Sequence, residues 1–410
     1  MAPRKSGSDT DPSTVAGTPS SELGGGGGTE TFNNPLRNIF PAGWIESSEF
    51  QSFSGIINPL PSRPDPPTSG HSNSSPYITF EHPQTGDMVS YGLYKAPESG
   101  GPALSLSYDF FDQEWSIDKY PELGSSVGIN FDISQSGVAV SGDYVGLVGA
   151  KTFDQAGSNV YRTDDILVLD TSETTPSWTR EEGVLPTETS RYPATFAYDG
   201  SLYSLITDTS VDFDQTGTSY LVRYEFETGN IFTERTFPDS KIFNFSSNTP
   251  VLDGEAYLMG VISEQTNVDF IEGDYNGNGI EFYKYNIDDD EFIQLSDIDV
   301  LRYEGSPPGN TGFGNGDAFL IDGLIYYTDG YNFYGGVAQA VYSISKDEWK
   351  PLPFLPEGNA PYDDNTTTNN WLGSKAGVVK DGVYYFPQGN NDSSSKASYQ
   401  VFLPSSFPTE

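Results

Sequence analysis

A short glycine turn recurs six times along this chain, and the recurrence limits the fold more than any other feature of the sequence. The copies read TGDMV, SGDYV, DGSLY, DGEAY, DGLIY and DGVYY, and they are aligned on Gly86, Gly142, Gly200, Gly254, Gly323 and Gly382. The steps between these glycines are 56, 58, 54, 69 and 59 residues. Because glycine readily adopts the positive φ of a two-residue hairpin turn, the series predicts an architecture of repeated hairpins.

Each repeat has the same internal order. An alternating strand enters the turn, an apolar strand leaves it, and a polar loop leads to a third strand such as NVYRTDDILVLD or AQAVYSIS. A short acidic or glycine turn then precedes a fourth strand with an aromatic residue, which is Trp115, Trp178, Phe232, Phe292 or Trp349. This order predicts one four-stranded antiparallel sheet per repeat, with the aromatic ring wedged between neighbouring sheets.

The last repeat ends before its fourth strand, whereas a strand without a repeat stands near the N-terminus. This segment, AGWIESSEF, runs from Ala42 to Phe50 and carries Trp44. We expect it to complete the last sheet and to close a ring without free edges. The predicted fold class is therefore all-β, a six-bladed β-propeller of four-stranded antiparallel blades whose last blade is closed by an N-terminal strand.

The propeller is predicted to occupy residues 42–407. Its parts are a closing strand at 42–53 and blades at about 74–123, 124–186, 187–240, 241–302, 303–357 and 358–407. Residues 1–41 are rich in Gly, Ser and Thr and contain few apolar side chains, so burial cannot offset the entropy lost on ordering. We expect a flexible arm there that anchors the propeller.

The charge of the chain restricts its partners and its source. Asp and Glu number 58 and Lys and Arg number 20, which gives a formal net charge of −38. Such an excess repels nucleic acid and anionic lipid, so neither is an expected partner. Because concentrated salt screens the self-repulsion, the composition favours a halophile or a virus of one. An acidic secreted protein of a mesophile is the alternative.

Several classes of chemistry are excluded or made improbable by composition. The chain has no cysteine, so it has no disulfide, no thiolate nucleophile and no cysteine metal ligand. Its two histidines, His71 and His82, stand in or near a Pro/Ser-rich linker, and we expect no catalytic histidine. We also expect no membrane span, because no apolar run approaches about 20 residues.

The repeat resembles the kelch repeat, with its turn, apolar strand, tyrosine-containing strand and tryptophan. YVGLVGA from Tyr144 to Ala150, and YYTDG followed by AVYSISKDEW, carry the resemblance best. The double glycine of that family is degenerate here, since Gly149 is followed by Ala150. The resemblance covers residues 42–407 and implies a propeller. It also implies an enzymatic alternative, because kelch-like propellers include sugar epimerases with a site at the channel mouth.

One loop resembles the first half of a calcium-binding loop. In DYNGNGIE, oxygen-bearing side chains alternate and a glycine stands at the sixth position, but the twelfth position is Tyr285 rather than Glu. The candidate calcium ligands are Asp274, Asn276, Asn278 and Glu281. The alternative is an Asn/Gly-rich hairpin tip without a metal, and no other cofactor is expected.

Arginines are scarce in this chain, and four of them stand in or beside repeat strands. They are Arg162, Arg191, Arg223 and Arg302. If they converge on the axial channel, they form a site for an anion. The alternative is that each pairs with a nearby carboxylate.

Two long polar loops carry aromatic residues that no strand requires. DGYNFYGG and YDDNTTTNNW contain the candidate binding residues Tyr331, Phe333, Tyr334, Tyr362 and Trp371. Exposed rings flanked by Asn and Asp suit stacking on a sugar or a protein hot spot. Alternatively, the rings pack beneath their own loops.

These features together predict a non-enzymatic binding protein, since a ring with variable loops lacks a recognisable catalytic set. We interpret it as a spike on the virion surface of a halophilic virus. Its arm would bind the capsid or other spike proteins, and its propeller would bind a host glycoprotein or glycan. We expect the assembly to be oligomeric. The alternatives are a carbohydrate-active enzyme of epimerase type and a cell-surface or scaffold protein of a haloarchaeon.

Overall fold

In the computed structural model, the described residues form a series of ranges within residues 57–402. These ranges are 57–64, 72–73, 78–92, 94–95, 103–123, 131–132, 136–153, 160–189, 193–208, 217–244, 248–263, 282–296, 317–328, 339–352, 377–387 and 398–402. The predicted arm, 1–41, and the predicted closing segment, 42–53, lie outside them.

Within these ranges the regular secondary structure consists of β-strands, and none of the described segments is a helix that could span a membrane. The strands are β1 (Ile57–Pro59), β2 (Ser72–Asn73), β3 (Ile78–Glu81), β4 (Met88–Tyr91), β5 (Tyr94–Lys95), β6 (Ser105–Asp109), β7 (Glu114–Ile117), β8 (Phe131–Asp132), β9 (Gly137–Ser141), β10 (Tyr144–Val148), β11 (Lys151–Phe153), β12 (Val160–Arg162), β13 (Ile166–Asp170), β14 (Trp178–Glu181), β15 (Ala194–Tyr198), β16 (Ser201–Thr207), β17 (Gly217–Glu225), β18 (Ile231–Asn244), β19 (Val251–Leu252), β20 (Glu255–Ser263), β21 (Phe282–Asn286), β22 (Glu291–Gln294), β23 (Asp317–Ile321), β24 (Leu324–Thr328), β25 (Gln339–Ser343), β26 (Glu348–Leu352), β27 (Val378–Lys380), β28 (Val383–Pro387) and β29 (Ser398–Phe402).

The strands form a β-propeller of antiparallel sheets. Four of the sheets have four strands each, in the orders β3-β4-β6-β7, β9-β10-β13-β14, β23-β24-β25-β26 and β27-β28-β29-β1. A fifth sheet has eight strands and contains β15 to β22. Two small sheets, β8-β11-β12 and β2-β5, extend from connections between the main strands.

The prediction of six blades is corrected, because the described residues form five main sheets. The third and fourth repeats share the eight-stranded sheet instead of forming one sheet each. Strand β18 is 14 residues long, and its end, Lys241 to Asn244, pairs with Gly260 to Ser263 of β20. Backbone hydrogen bonds therefore join two repeats that the sequence analysis treated as separate sheets.

An N-terminal strand completes the last sheet, but it is not the predicted segment. Strand β1 pairs with β29, with Ile57 opposite Val401. The last sheet is also joined to the first, because Lys380 of β27 forms an ion pair with Glu81 of β3. Phe110 beyond β6 packs edge-on against Tyr385, with ring centroids 4.7 Å apart. The chain thereby closes on itself.

Five of the six predicted two-residue hairpin turns are confirmed; at Gly86, six residues separate Glu81 from its partner Met88. Four of them place Asp and Gly at the two central positions, and both residues have positive φ. The Asp φ values are 44° to 52° and the Gly φ values 73° to 79° in Asp199-Gly200, Asp253-Gly254, Asp322-Gly323 and Asp381-Gly382. Positive φ at both positions is the geometry of a type I′ turn, whose twist matches that of the two strands it joins.

Two of the fourth-strand aromatic residues fill the space between sheets, as predicted. The Trp178 side chain is 1% exposed, and its ring meets Tyr91 of the preceding sheet edge-on at 5.9 Å. The Trp349 ring lies 5.0 Å from Phe282 of its preceding sheet. These rings exclude water from the junctions between neighbouring sheets.

Phe232 departs from this pattern, and its prediction as a wedge is corrected. Its side chain is 39% exposed, and the Arg223 guanidinium lies 4.3 Å from its ring centroid. The space between the third and fourth repeats is filled by Phe237 of β18 and Phe292 of β22, with ring centroids 5.4 Å apart.

Candidate functional site

The first strands of five repeats converge on an axial channel. Strands β3, β9, β15, β19 and β27 line a cavity of about 530 Å³. Strands β3, β9, β15 and β27 are each the last strand on one side of their sheet. One backbone edge of each is therefore outside the sheet's hydrogen-bond ladder and is available to a ligand or to water.

The inner strands approach one another closely, and the sequence provides the space. A Cβ atom on Gly137 of β9 would lie 2.2 Å from Oγ1 of Thr195 on β15. No side chain larger than hydrogen fits there without moving one strand. The glycine therefore sets the width of the channel between the second and third repeats.

The walls of the cavity combine apolar and polar side chains. Val140, Val251 and Val379 provide partly exposed apolar surface. Two polar atoms of the wall, Nδ1 of His82 and Oγ1 of Thr249, are buried and make no hydrogen bond among the described residues. Such atoms are uncommon in folded proteins, because each costs about 1–3 kcal/mol when it is left unsatisfied. They are therefore candidates for contact with a ligand.

Other polar side chains of the wall are already satisfied. The Thr79 hydroxyl donates to Ser90 Oγ at 3.0 Å, and Thr195 and Ser204 are paired at 3.1 Å. These bonds join the first and second strands of two sheets, so they stabilise the wall. In the described wall, the side chains whose buried polar atoms make no hydrogen bond are therefore His82 and Thr249.

His82 lies at the end of β3 in a buried polar cluster. Its ring stacks on Tyr120 with centroids 4.3 Å apart, and only 5% of the residue is exposed. Asp87 Oδ2 accepts hydrogen bonds from Tyr120 Oη and from Lys119 Nζ, both at 2.6 Å. Tyr120 Oη also pairs with Thr85 Oγ1 at 2.7 Å. The sequence analysis placed His82 beside a linker, whereas the structure places it in the channel wall.

Burial lowers the pKa of His82 below its ordinary value, and the nearby positive charge of Lys119 acts in the same direction. The negative charge of Asp87 opposes this shift but does not cancel it. The imidazole is consequently neutral at pH 7. For Tyr120, burial and the hydrogen bond to Asp87 raise the pKa, so its hydroxyl remains protonated and acts as a donor to the carboxylate.

The lowered pKa predicts a loss of stability in mild acid. Below pH 6.5 the unfolded chain binds a proton at His82 before the folded protein does, so the free energy of unfolding falls as the pH drops. We expect His82→Gln to reduce the fall between pH 7 and about pH 5.5, above the main titration range of carboxylates. Urea unfolding at each pH measures the free energy of unfolding. The fall should be smaller in His82→Gln than in the native protein; equal falls in the two proteins would contradict the assignment.

Asp317 at the start of β23 supports the wall from the side of the last two repeats. The residue is fully buried, and its carboxylate accepts hydrogen bonds from Asn248 Nδ2 at 2.8 Å, from the Gly377 backbone N–H at 2.9 Å and from Tyr384 Oη at 2.7 Å. Asn248 and Gly377 themselves line the cavity. One carboxylate thus connects three repeats around the channel.

A second cavity, of about 760 Å³, lies between the third and fourth repeats and is strongly acidic. Arg223 lines it and pairs with Glu225 at 2.6 Å and with Glu234 at 2.5 Å. The hydrogen bonds to these carboxylates raise the pKa of Arg223, although burial acts against them. Arg223 therefore lies apart from the axial cavity and pairs locally, which is the alternative that the sequence left open.

For the remaining predicted site residues, the structure gives a backbone position or none. Arg162 ends β12, whose backbone pairs with that of β11. The residues outside the described ranges are Arg191, Arg302, Asp274, Asn276, Asn278, Glu281, Tyr331, Phe333, Tyr334, Tyr362 and Trp371. Their roles stay predictions. Within the described ranges, no three His, Asp or Glu side chains are arranged to hold a metal ion.

Comparison with known proteins identifies the fold and no family. No protein-family model matches the chain, and no curated protein sequence matches it. The Trypanosoma rangeli sialidase is 12% identical, with 81% of this chain and 55% of that chain covered and a TM-score of 0.50. A Hadza microbial sialidase is 10% identical, with 82% and 66% covered and a TM-score of 0.47. The Aleuria aurantia lectin in complex with Fucα1-6GlcNAc is 12% identical, with 70% and 80% covered and a TM-score of 0.43.

The match with the Trypanosoma rangeli sialidase shows the β-propeller fold alone, and this chain spans a little over half the length of that protein. The comparisons do not show a kelch repeat or a halophilic or viral origin, and they do not support the role of a virion spike. They do correct the prediction of a non-enzymatic protein, because the sialidase with this fold is an enzyme. The lack of a catalytic set recognisable in the sequence is therefore no reason to class the chain as non-enzymatic.

Proposed function

We propose that this protein binds or processes carbohydrate in its axial channel. The observation that carries the proposal is the pair of unsatisfied buried polar atoms, His82 Nδ1 and Thr249 Oγ1, in the wall of one cavity. A ligand with hydroxyl groups would satisfy both atoms, and this gain favours its binding over that of an apolar molecule.

The size and the surface of the cavity also support a sugar. Its volume of about 530 Å³ falls in the usual range of small-molecule sites, roughly 300–1,000 Å³. A sugar ring has apolar C–H faces and a rim of hydroxyls. Val140, Val251 and Val379 offer apolar surface to such faces, while the backbone edges of the inner strands offer donors and acceptors to the rim. The propeller fold shared with a sialidase is consistent with this assignment.

A glycan array tests the proposal with the whole protein. We expect binding to a subset of glycans and loss of that binding in Val379→Trp, because Val379 lines the cavity and its enlargement fills the channel. Thr236→Trp adds the same bulk to the exposed surface of β18 and should bind as the native protein does. Mass spectrometry of the bound glycans after incubation distinguishes binding from turnover. Absence of binding across the array, or equal binding by Val379→Trp, would refute the proposal.

The place where the protein acts is a separate proposal. We propose the virion surface of a halophilic virus, supported by the net charge of −38 and by the Gly/Ser/Thr-rich residues 1–41 as an anchor to capsid or spike proteins. A host glycan would be the ligand in that setting. Immunodetection across a high-salt density gradient of a producing culture tests it, since the protein should band with intact virions rather than with cytosol or envelopes.

A further inference from the structure

The axial cavity has no free positive charge among the residues that the structure describes. Its lining contains two titratable side chains, Glu81 and His82. Glu81 forms an ion pair with Lys380, and His82 is neutral at pH 7 because burial lowers its pKa. Neither side chain provides a cation to a ligand at neutral pH.

Two described lysines near the channel are already paired with carboxylates. Lys119 lies 2.6 Å from Asp87 and 3.7 Å from Asp109, and Lys380 pairs with Glu81. Moving an anionic ligand from water into such a site removes its hydration without a compensating charge. The formal net charge of −38 adds a repulsive field. The described wall therefore selects against acidic sugars.

The unsatisfied atoms point to hydroxyl groups instead. A neutral imidazole has one donor nitrogen and one acceptor nitrogen, and a threonine hydroxyl is both donor and acceptor. A sugar hydroxyl also donates and accepts, so it can satisfy His82 Nδ1 in either tautomer and Thr249 Oγ1 in either role. A carboxylate can only accept hydrogen bonds. It therefore cannot satisfy His82 Nδ1 or Thr249 Oγ1 when either atom acts as the acceptor.

We propose that the channel takes an uncharged sugar whose hydroxyl groups bond to His82 and Thr249. This inference rests on the proposed carbohydrate function. It specifies an uncharged sugar, whereas the name of the sialidase suggests an acidic sugar as the substrate of that protein. It goes beyond that function because it specifies the class of glycan and the two side chains that recognise it.

The experiment compares matched glycans that differ in one terminal unit. The probes share one core and end in a neutral hexose, in a sialic acid or in a uronic acid, and they are titrated at a single ionic strength. We expect the neutral glycan to bind at least about tenfold more tightly, because an unpaired charge loses the hydrogen bonds of its hydration shell. Tighter binding of either acidic glycan would overturn the inference while the proposed function stands.

Two variants test the assigned contacts. Thr249→Val keeps the shape and removes the hydroxyl, and His82→Gln removes the imidazole. Each variant should lower the affinity for the neutral glycan roughly fivefold to tenfold, the usual contribution of one hydrogen bond. Thr179→Val removes the hydroxyl of an exposed residue on the outer strand β14 and should leave affinity unchanged. Unfolding midpoints confirm that each variant is folded. Unchanged affinity in both channel variants would overturn the assignment, and failure of every glycan to bind would refute the proposed function itself.

Discussion

Replacing Asp317 with alanine should lower the free energy of unfolding by about 3–5 kcal/mol. The carboxylate is fully buried and accepts hydrogen bonds from Asn248, Gly377 and Tyr384. Its removal leaves these donors buried without that acceptor, and it also opens a cavity between three repeats. Urea unfolding at a single salt concentration measures the effect.

Two further variants separate the hydrogen bonds of Asp317 from its volume. Asp317→Asn keeps the shape and retains one acceptor oxygen, so we expect a smaller loss, about 1–3 kcal/mol. Asp289→Ala removes an exposed carboxylate that accepts a hydrogen bond from Asn286 Nδ2, and it should change stability by less than about 0.5 kcal/mol. A loss below about 1 kcal/mol for Asp317→Ala would show that this carboxylate does not hold the repeats together.

The Trp178→Ala substitution should also cost about 3–5 kcal/mol, the usual result of removing a large buried aromatic side chain. Trp178 is 1% exposed and belongs to a core that includes Leu167 and Leu169 of its own sheet and Tyr91 of the preceding one. Its Nε1 lies 3.3 Å from Tyr91 Oη, so the substitution weakens a polar contact between the sheets as well. Chemical unfolding is again the measurement.

Trp115 provides the matched control, because it stands at the equivalent position of the first sheet. Its ring is only partly buried, and its Nε1 donates to the Pro61 carbonyl at 2.8 Å. We expect Trp115→Ala to cost clearly less than Trp178→Ala. Equal losses would mean that the position in the repeat, rather than burial between two sheets, determines the contribution of the ring.

The hairpins could be predicted from the sequence because their cause is local. An Asp-Gly pair between two apolar strands specifies a turn with positive φ, and Asp322 and Gly323 adopt it at 51° and 75°. The same holds for the wedge at Trp178, since the order of strands within a repeat fixes which residue reaches the preceding sheet. Features of this kind need no knowledge of distant residues.

The closure and the number of sheets could not be predicted in the same way. Strand β1 is three residues long and ends in Pro59, which gives little strand signal; proline is tolerated at a sheet edge, where its missing N–H is not needed. The union of the third and fourth repeats depends on the length of β18, and no local pattern marks where that strand ends. Both features follow from pairing between segments that are separate in sequence.

The candidate site was missed for a related reason. Asp87 is one of 58 acidic residues, and Tyr120 stands 38 positions after His82, so nothing in the sequence brings the three together. The turn at Gly86 was a usable signal, because it implies that the strand before it lies first in its sheet and so faces the axis. His82 at the end of that strand could have been placed at the channel by this argument.

The position of a bound glycan tests the central claim most directly. A crystal structure with the glycan that binds best in the array would show it. Our account predicts density for the sugar in the axial channel, with hydroxyl groups within hydrogen-bond distance of His82 and Thr249. Density in the acidic cavity beside Arg223, or on the outer surface with an empty channel, would contradict it.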